Sequence, residues 1–256
     1  MMLEVNKIYC MDCLYGLRQM KDDSVHITIT SPPYNLGKSI HHNKQIYLNY
    51  DDSLSDEEYK QFIIDVINEL LRVTKHYVFF NFQILSNNKT SYIEIMNEFK
   101  NNIKEFFIWA KTNPPPPIQQ HCFASGFEFI LCLSKTDSKN RTFERCSFNA
   151  HLKGQKTISN TIIKQTNKKF VENHFACFPE WLPYFFIKNI SKENDIVLDP
   201  FMGSGTTAVV CKQLNRRFIG FEINPNYCKI AEERLSQRTM FDVIGENECL
   251  GKFIQE

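Results

Sequence analysis

A glycine-bearing turn set between a short apolar run and a helical run constrains this chain more than any other stretch. Asp195 to Leu198 reads as a buried strand, Asp199-Pro200-Phe201-Met202-Gly203-Ser204-Gly205-Thr206-Thr207 turns sharply, and a helix follows through Leu214. Two glycines let backbone approach a ligand where side chains would block it, and the helix start adds free N–H groups. The next strand, Arg217 to Phe221, ends in Glu222, placed to hydrogen-bond the two hydroxyls of a ribose. Such a unit belongs in a mostly parallel sheet.

The rest of the chain fits that sheet. Leu3 to Tyr9, Val25 to Thr30, His76 to Phe82, Glu105 to Lys111 and Gly126 to Ser134 read as strands, the last two as hairpin partners. Ser55-Asp56-Glu57-Glu58 is a capping box opening an amphipathic helix through Leu71, and Thr90 to Phe99, Phe178-Pro179 to Ile190 and Pro225 to Ser236 are further helices. Strand and helix alternate as they do when helices cover both faces of a sheet. At 256 residues, with 43% hydrophobic content, the chain suits one α/β domain with an insertion. The N-terminus lacks the basic flank and long apolar core of a secretory signal, and no apolar run approaches a membrane span, so a soluble cytoplasmic protein is expected.

The apolar strand Val25 to Thr30 delivers a second motif, Ser31-Pro32-Pro33-Tyr34. Two prolines fix two φ angles and supply no N–H, so the carbonyls around them are held in place but unused in a ladder. An exocyclic base amine is a poor nucleophile because its lone pair is delocalised into the ring. Accepting its two N–H hydrogens, from the Ser31 hydroxyl and the Pro32 carbonyl, would localise that pair toward an incoming methyl group. Tyr34 can then stack on a base flipped out of a duplex. Read alone, the four residues also describe an ordinary turn closing a strand.

The formal net charge of +1 hides a division. From Lys135 to Glu172 nine Lys or Arg face three acids, so the basic charge is local and the remainder is net acidic. That is the distribution expected of a phosphate-contacting insertion on a near-neutral scaffold, though a solvated lysine-rich loop has it too. With few periodic apolar positions, the segment reads as a surface insertion outside the core. Four prolines, Pro114 to Pro117, read as a stiff connector that holds a loop beside the site, or as a ligand for a partner domain. The nine cysteines are scattered through apolar segments, which fits reduced thiols. Cys10 and Cys13 make one C-x-x-C without a second pair, and His41-His42 has no partner at ligand spacing, so no metal is expected.

Both motifs together make a specific resemblance. The chain resembles the β group of S-adenosylmethionine-dependent DNA amino-methyltransferases, a circularly permuted family in which the S/D-P-P-Y motif precedes the D-P-F-x-G-S/T-G-T cofactor motif. The likeness extends to Asp12-Cys13-Leu14, Phe107-Ile108-Trp109-Ala110-Lys111, Phe178-Pro179 and Phe221-Glu222-Ile223-Asn224. It implies a Rossmann-like, mostly parallel seven-stranded sheet with one antiparallel strand. Residues 1–136 would form the catalytic part, 137–172 a target-recognition insertion, 173–240 the cofactor-binding part and 241–256 a tail.

The resemblance also implies roles. Phe201, Gly203 and Gly205 would wrap the methionine portion of the cofactor, Glu222 hold its ribose, Asp12 lie near its adenine, and Thr206 and Thr207 bond its carboxylate. Cys13, Phe178 and Asp199 complete that set. Ser31, Pro32, Pro33 and Tyr34 would hold the base, with Lys38, Lys139, Arg141, Arg145, Lys153 and Lys156 on DNA. Transfer would be direct, because no Pro-Cys supplies the nucleophile needed for cytosine C5 chemistry. Serine at position 31 favours cytosine N4, with adenine N6 the alternative and RNA or protein-glutamine amines more distant. A cytoplasmic enzyme acting on double-stranded DNA is implied, with a cognate restriction endonuclease and a homodimer as further partners.

Overall fold

The computed structural model describes residues 3–35, 54–85, 88–114, 121, 123–136, 138–145, 159–164 and 179–241, with side chains through 236. Lys38, His41, His42, Pro115 to Pro117, Lys153, Lys156, Phe178 and the tail from 242 onward lie outside the described residues.

Fourteen elements follow one another among the described residues: β1 (Lys7–Cys10), α1 (Cys13–Arg18), β2 (Val25–Thr30), α2 (Asp56–Val73), β3 (Thr74–Phe82), α3 (Lys89–Glu98), β4 (Ile103–Lys111), β5 (Phe127–Leu133), β6 (Thr161–Lys164), α4 (Trp181–Ile190), β7 (Ile196–Asp199), α5 (Thr206–Gln213), β8 (Arg217–Glu222) and α6 (Pro225–Phe241). The strands form one sheet in the order β1-β8-β7-β2-β3-β5-β4-β6. Every pairing is parallel except those of β5, which runs against both β3 and β4.

The expected sheet thus has eight strands among the described residues instead of seven, with the one antiparallel strand in place. The extra strand, β6, comes from the basic segment, expected to lie outside the core. It pairs in parallel with β4, burying Ile162 at 8% exposure while Ile163 stays 66% exposed. Phe143 of the same segment packs on Tyr77, ring centroids 5.1 Å apart. A four-residue strand shows too little alternation to stand out in a polar stretch. The first strand is shorter than expected, because Asn6 adopts a left-handed φ of 59°. Asn6 hooks both its backbone N–H and its side-chain oxygen onto Phe218 at 2.6 and 3.2 Å, so pairing begins only at Lys7.

Each face of the sheet carries its own core. Tyr59, Ile63, Val66, Ile67 and Leu70 of α2 pack on one side with Phe80, Phe82 and Phe221. Leu182, Phe186 and Ile187 of α4 pack on the other with Phe79, Phe107 and Val197. Phe79 stacks on Phe186 with centroids 4.2 Å apart, a geometry worth about 0.5–1.5 kcal/mol beyond area burial. The α2 start is a complete capping box between Ser55 and Glu58, worth about 1 kcal/mol.

At the edge away from the strand C-termini, His26, His76, Arg145 and Asp195 lock together. Arg145 donates to Asp195 at 2.5 Å and to His76 Nε2 at 2.9 Å, so that nitrogen carries no proton. His26 Nδ1 accepts from the Ile196 N–H at 2.9 Å. Burial, then the Arg145 charge, push the His76 imidazole down to about 4, and burial also lowers His26. A base with a depressed folded value binds fewer protons folded than unfolded, so its stabilisation is full above about pH 6.5 and fades as pH falls toward 4. Tm measured from pH 7 to 4.5 should therefore fall less steeply in His76→Gln, whose amide oxygen still accepts from Arg145, than in the wild type. Equal slopes would remove His76 from the acid response.

Candidate active site

Strand order reverses between β7 and β2, since each leads outward to the opposite side of the sheet. Open α/β sheets bind ligands at the strand C-termini beside such a switch point. Both motifs open from these two strands, which pair through Ile27 with Val197 and Thr28 with Leu198. Just beyond, Thr30 Oγ1 donates to Asp199 Oδ1 at 2.8 Å across 169 residues of chain. The two motifs are therefore one site.

On the β7 side, Asp199 is fully buried and accepts from Thr30, from Thr207 Oγ1 at 2.6 Å and from the Phe201 N–H at 3.1 Å. Burial outweighs these three bonds and pushes its carboxyl up to about 6. Gly203 and Gly205 have φ of 53° and 83°, the left-handed region that favours glycine, and Gly205 caps α5. The Gly203 N–H donates to Glu222 Oε2 and the Asn224 N–H to Oε1, both at 2.8 Å. Each Glu222 oxygen keeps a lone pair for a ligand hydroxyl, and burial raises its carboxyl above the usual range.

Asp12 lies beside Glu222, because Cys10 pairs with Glu222 and the Met11 N–H donates to the Glu222 carbonyl at 3.0 Å. Its carboxylate caps α1 through the Tyr15 N–H at 2.9 Å. Cys13 is buried, and desolvation pushes its thiol up to about 12, so the C-x-x-C holds no reactive thiolate there. The Thr207 hydroxyl is spent on Asp199, whereas Thr206 Oγ1 accepts from Arg234 at 3.3 Å. Arg234, not foreseen from the sequence, also holds the Ser204 carbonyl at 2.6 Å and Glu180 at 3.1 Å, tying α6 to the glycine turn and to the start of α4.

On the β2 side, the proline turn is clamped from outside. Tyr59 donates to the Pro33 carbonyl at 2.8 Å, and Asn88 Nδ2 to the Tyr34 carbonyl at 2.9 Å. The Asn35 amide brackets the Leu54 backbone with two bonds of 2.9 Å. Tyr34 is not a free ring. Its hydroxyl lies 3.0 Å from Ser31 Oγ, donates to Glu128 Oε2 at 3.0 Å and meets Asn81 Nδ2 at 2.9 Å. Lys111 Nζ completes the group 2.7 Å from Glu128 Oε1.

Asn81, Lys111 and Glu128 come from the ends of β3, β4 and β5, and converge because β5 runs backwards, bringing its start to the ends of its neighbours. The signal available in the sequence was a polar residue set among apolar neighbours, Asn81 between Phe80 and Phe82 and Glu128 between Phe127 and Phe129, which burial tolerates only with partners.

The foreseen DNA contacts divide. Lys139 and Arg141 are exposed, Arg141 at 3.4 Å from Glu105. Arg145 is committed to Asp195 and His76 inside the scaffold, so its charge is neutralised there. Among the described residues, no group of three His, Cys, Asp or Glu side chains could hold a metal, and no helix is long and apolar enough to cross a membrane.

The chain is similar to known proteins. A family model described as DNA methylase, covering N6 and N4 enzymes, matches residues 25–233. The type II methyltransferase M.HinfI of Haemophilus influenzae is 31% identical over 252 residues, covering 91% of this chain and 69% of its own. M2.LlaDCHI of Lactococcus lactis subsp. cremoris is 36% identical over 132 residues, 50% of this chain, which spans about half of that relative's length at 49%. Among solved structures, the cytosine-N4-specific PvuII DNA methyltransferase superposes with a TM-score of 0.68 at 19% identity, covering 93% of this chain and 90% of that one. The M1.HpyAVI-SAM complex gives 0.57 at 26% identity, covering 89% and 98%. With Ser31 to Tyr34 and Asp199 to Glu222 meeting at one switch point, and with a family match over most of its length, the chain belongs to the N6/N4 DNA methylases and is a DNA amino-methyltransferase.

Proposed function

We propose that the protein methylates the exocyclic N4 amine of a cytosine flipped out of double-stranded DNA, by direct transfer from S-adenosylmethionine. The observation that carries this reading is the Thr30–Asp199 bond, which sets a turn suited to holding an amine against a turn suited to holding the donor. The residues on the donor side fit that group. Gly205, at φ of 83°, turns the chain into the start of α5 beside Glu222, which presents two carboxylate oxygens with spare lone pairs.

S-adenosylmethionine, when bound, supplies an electrophilic methyl on a positively charged sulfur, which keeps the S–C bonding pair as the amine nitrogen takes the methyl and sheds one proton to water. Glu222 holds the ribose hydroxyls and Asp12 borders the adenine. Phe201, Gly203 and Gly205 enclose the methionine portion, with Thr206 at the α5 start for its carboxylate. Thr207 and Asp199 act one step back, fixing the turn and joining it to β2. Ser31 Oγ and the Pro32 carbonyl accept the amine hydrogens, and Tyr34 packs on the base. Lys139 and Arg141 meet DNA, where phosphates position the duplex and groove contacts select the site.

Adenine N6 presents a similar amine edge and is the second reading, favoured by the family's inclusion of both chemistries. The enzyme works in the cytoplasm, and the type II naming of its relatives supports a cognate restriction endonuclease as its companion. A homodimer is the assembly we propose. The base is tested by incubating unmethylated DNA with protein and labelled S-adenosylmethionine and resolving the nucleosides. Label in N4-methylcytosine supports the proposal, label in N6-methyladenine transfers it to the second reading, and absence of label from DNA contradicts both.

A further inference from the structure

We infer that Glu128, paired with Lys111, sets the direction of the hydrogen bonds around Ser31, so that its hydroxyl oxygen faces the target amine as an acceptor. This rests on the reading of Ser31 to Tyr34 as the amine-binding turn. A hydroxyl can donate or accept, and only one choice serves the chemistry. Donating to the amine nitrogen would tie up the lone pair that must attack the methyl group.

The direction follows from counting protons. Lys111 and Glu128 side chains are 6% and 9% exposed with Nζ 2.7 Å from Oε1, a buried pair in which the carboxylate is ionised and can only accept. Oε2 lies 3.0 Å from the Tyr34 hydroxyl, so the phenol's single proton goes to Glu128. The phenol oxygen is then left to accept, and the Ser31 hydroxyl, 3.0 Å away, donates to it. The same carboxylate turns the NH2 of Asn81 toward itself at 2.7 Å. Asn81 has two protons for three neighbours, and its contact with Ser31, at 3.3 Å, is longer than those to Glu128 and to Tyr34 at 2.9 Å. Ser31 Oγ therefore keeps lone pairs for an incoming N–H. With its NH2 turned to the carboxylate, the Asn81 Oδ1 is left buried with no partner among the described residues.

Glu128 is a positioning residue, acting through Tyr34 on Ser31. Glu128→Gln keeps the shape, but its amide can donate to the phenol and reverse the chain. The expected result is a kcat lower by about 30-fold, with Kd for S-adenosylmethionine and KM for DNA within about threefold. In a Tyr34→Phe background, where the transmitting hydroxyl is gone, the same change should cost less than about threefold. A purely structural Glu128 would instead lower Tm and cut kcat by the same factor in both backgrounds. If the unpaired Lys111 charge prevents folding, Lys111→Met with Glu128→Gln removes both charges, and the same two comparisons apply. A folded variant with kcat within about threefold of wild type, or equal losses in the two backgrounds, overturns the inference. Wild-type protein that leaves DNA unmethylated contradicts the proposed function itself, so the two failures are told apart.

Discussion

Tyr34→Ala is expected to lower kcat by about 10²–10³-fold while leaving the Kd for S-adenosylmethionine within about threefold. Two losses combine. The ring surface on which a flipped base would rest is removed, and stacking of that kind is worth about 1–3 kcal/mol per base. The hydroxyl that joins Ser31 to Glu128 is removed as well, leaving Asn81 and Glu128 without a common partner. On the donor side the Glu222 carboxylate is held by the Gly203 and Asn224 N–H groups, and it should be unmoved. Single-turnover kinetics beside calorimetric cofactor binding separates the two quantities. Tyr34→Phe, which keeps the ring, should lose less. Equal loss of cofactor affinity and turnover in Tyr34→Ala would mean that the two halves are not separable in this way.

Gly205→Val should have the opposite signature, raising the Kd for S-adenosylmethionine by about 100-fold or more while DNA affinity at fixed salt is kept. At φ of 83° a β-branched residue sits in the left-handed region, at a cost of roughly 1–2 kcal/mol. A Cβ built there would lie 2.8 Å from the Ala231 Cβ and 3.1 Å from its Cα, inside contact distance of helix α6. α6 must therefore move away from α5, at about 1–3 kcal/mol for overpacking, and it carries Arg234 with it. Arg234 holds the Ser204 carbonyl at 2.6 Å, so the turn between the two glycines shifts too. Calorimetry with S-adenosylmethionine and a salt-matched DNA shift assay test the pair of expectations. Unchanged cofactor affinity would show that the turn does not carry the donor.

Elements that settle their own local balance were legible in the sequence. The Ser55 capping box, the left-handed glycines after Asp199 and the hairpin of β4 with β5 each follow from spacing and residue type. Groups whose role depends on distant partners were not. Glu128 reads as a misplaced charge in an apolar strand until β5 reverses and sets it beside Lys111 and Tyr34. Thr207 and Arg145 read as ligand contacts by chemistry alone, but folding gives each a buried partner, Asp199 and Asp195, and so a scaffold role. Chain order placed the two motifs far apart. Only the sheet, by making β2 and β7 neighbours, shows why both are needed at one point.

With the two turns side by side, the methyl is expected to pass from sulfur to amine in a single displacement. The most direct measurement uses S-adenosylmethionine whose methyl carbon is chiral through its three hydrogen isotopes, followed by recovery of the methylated base and determination of its configuration. One displacement inverts the carbon, and inversion is the predicted result. Retention would require a second displacement through a methylated enzyme group, and would contradict the reading of Ser31 to Tyr34 and Asp199 to Glu222 as the two walls of one transfer site.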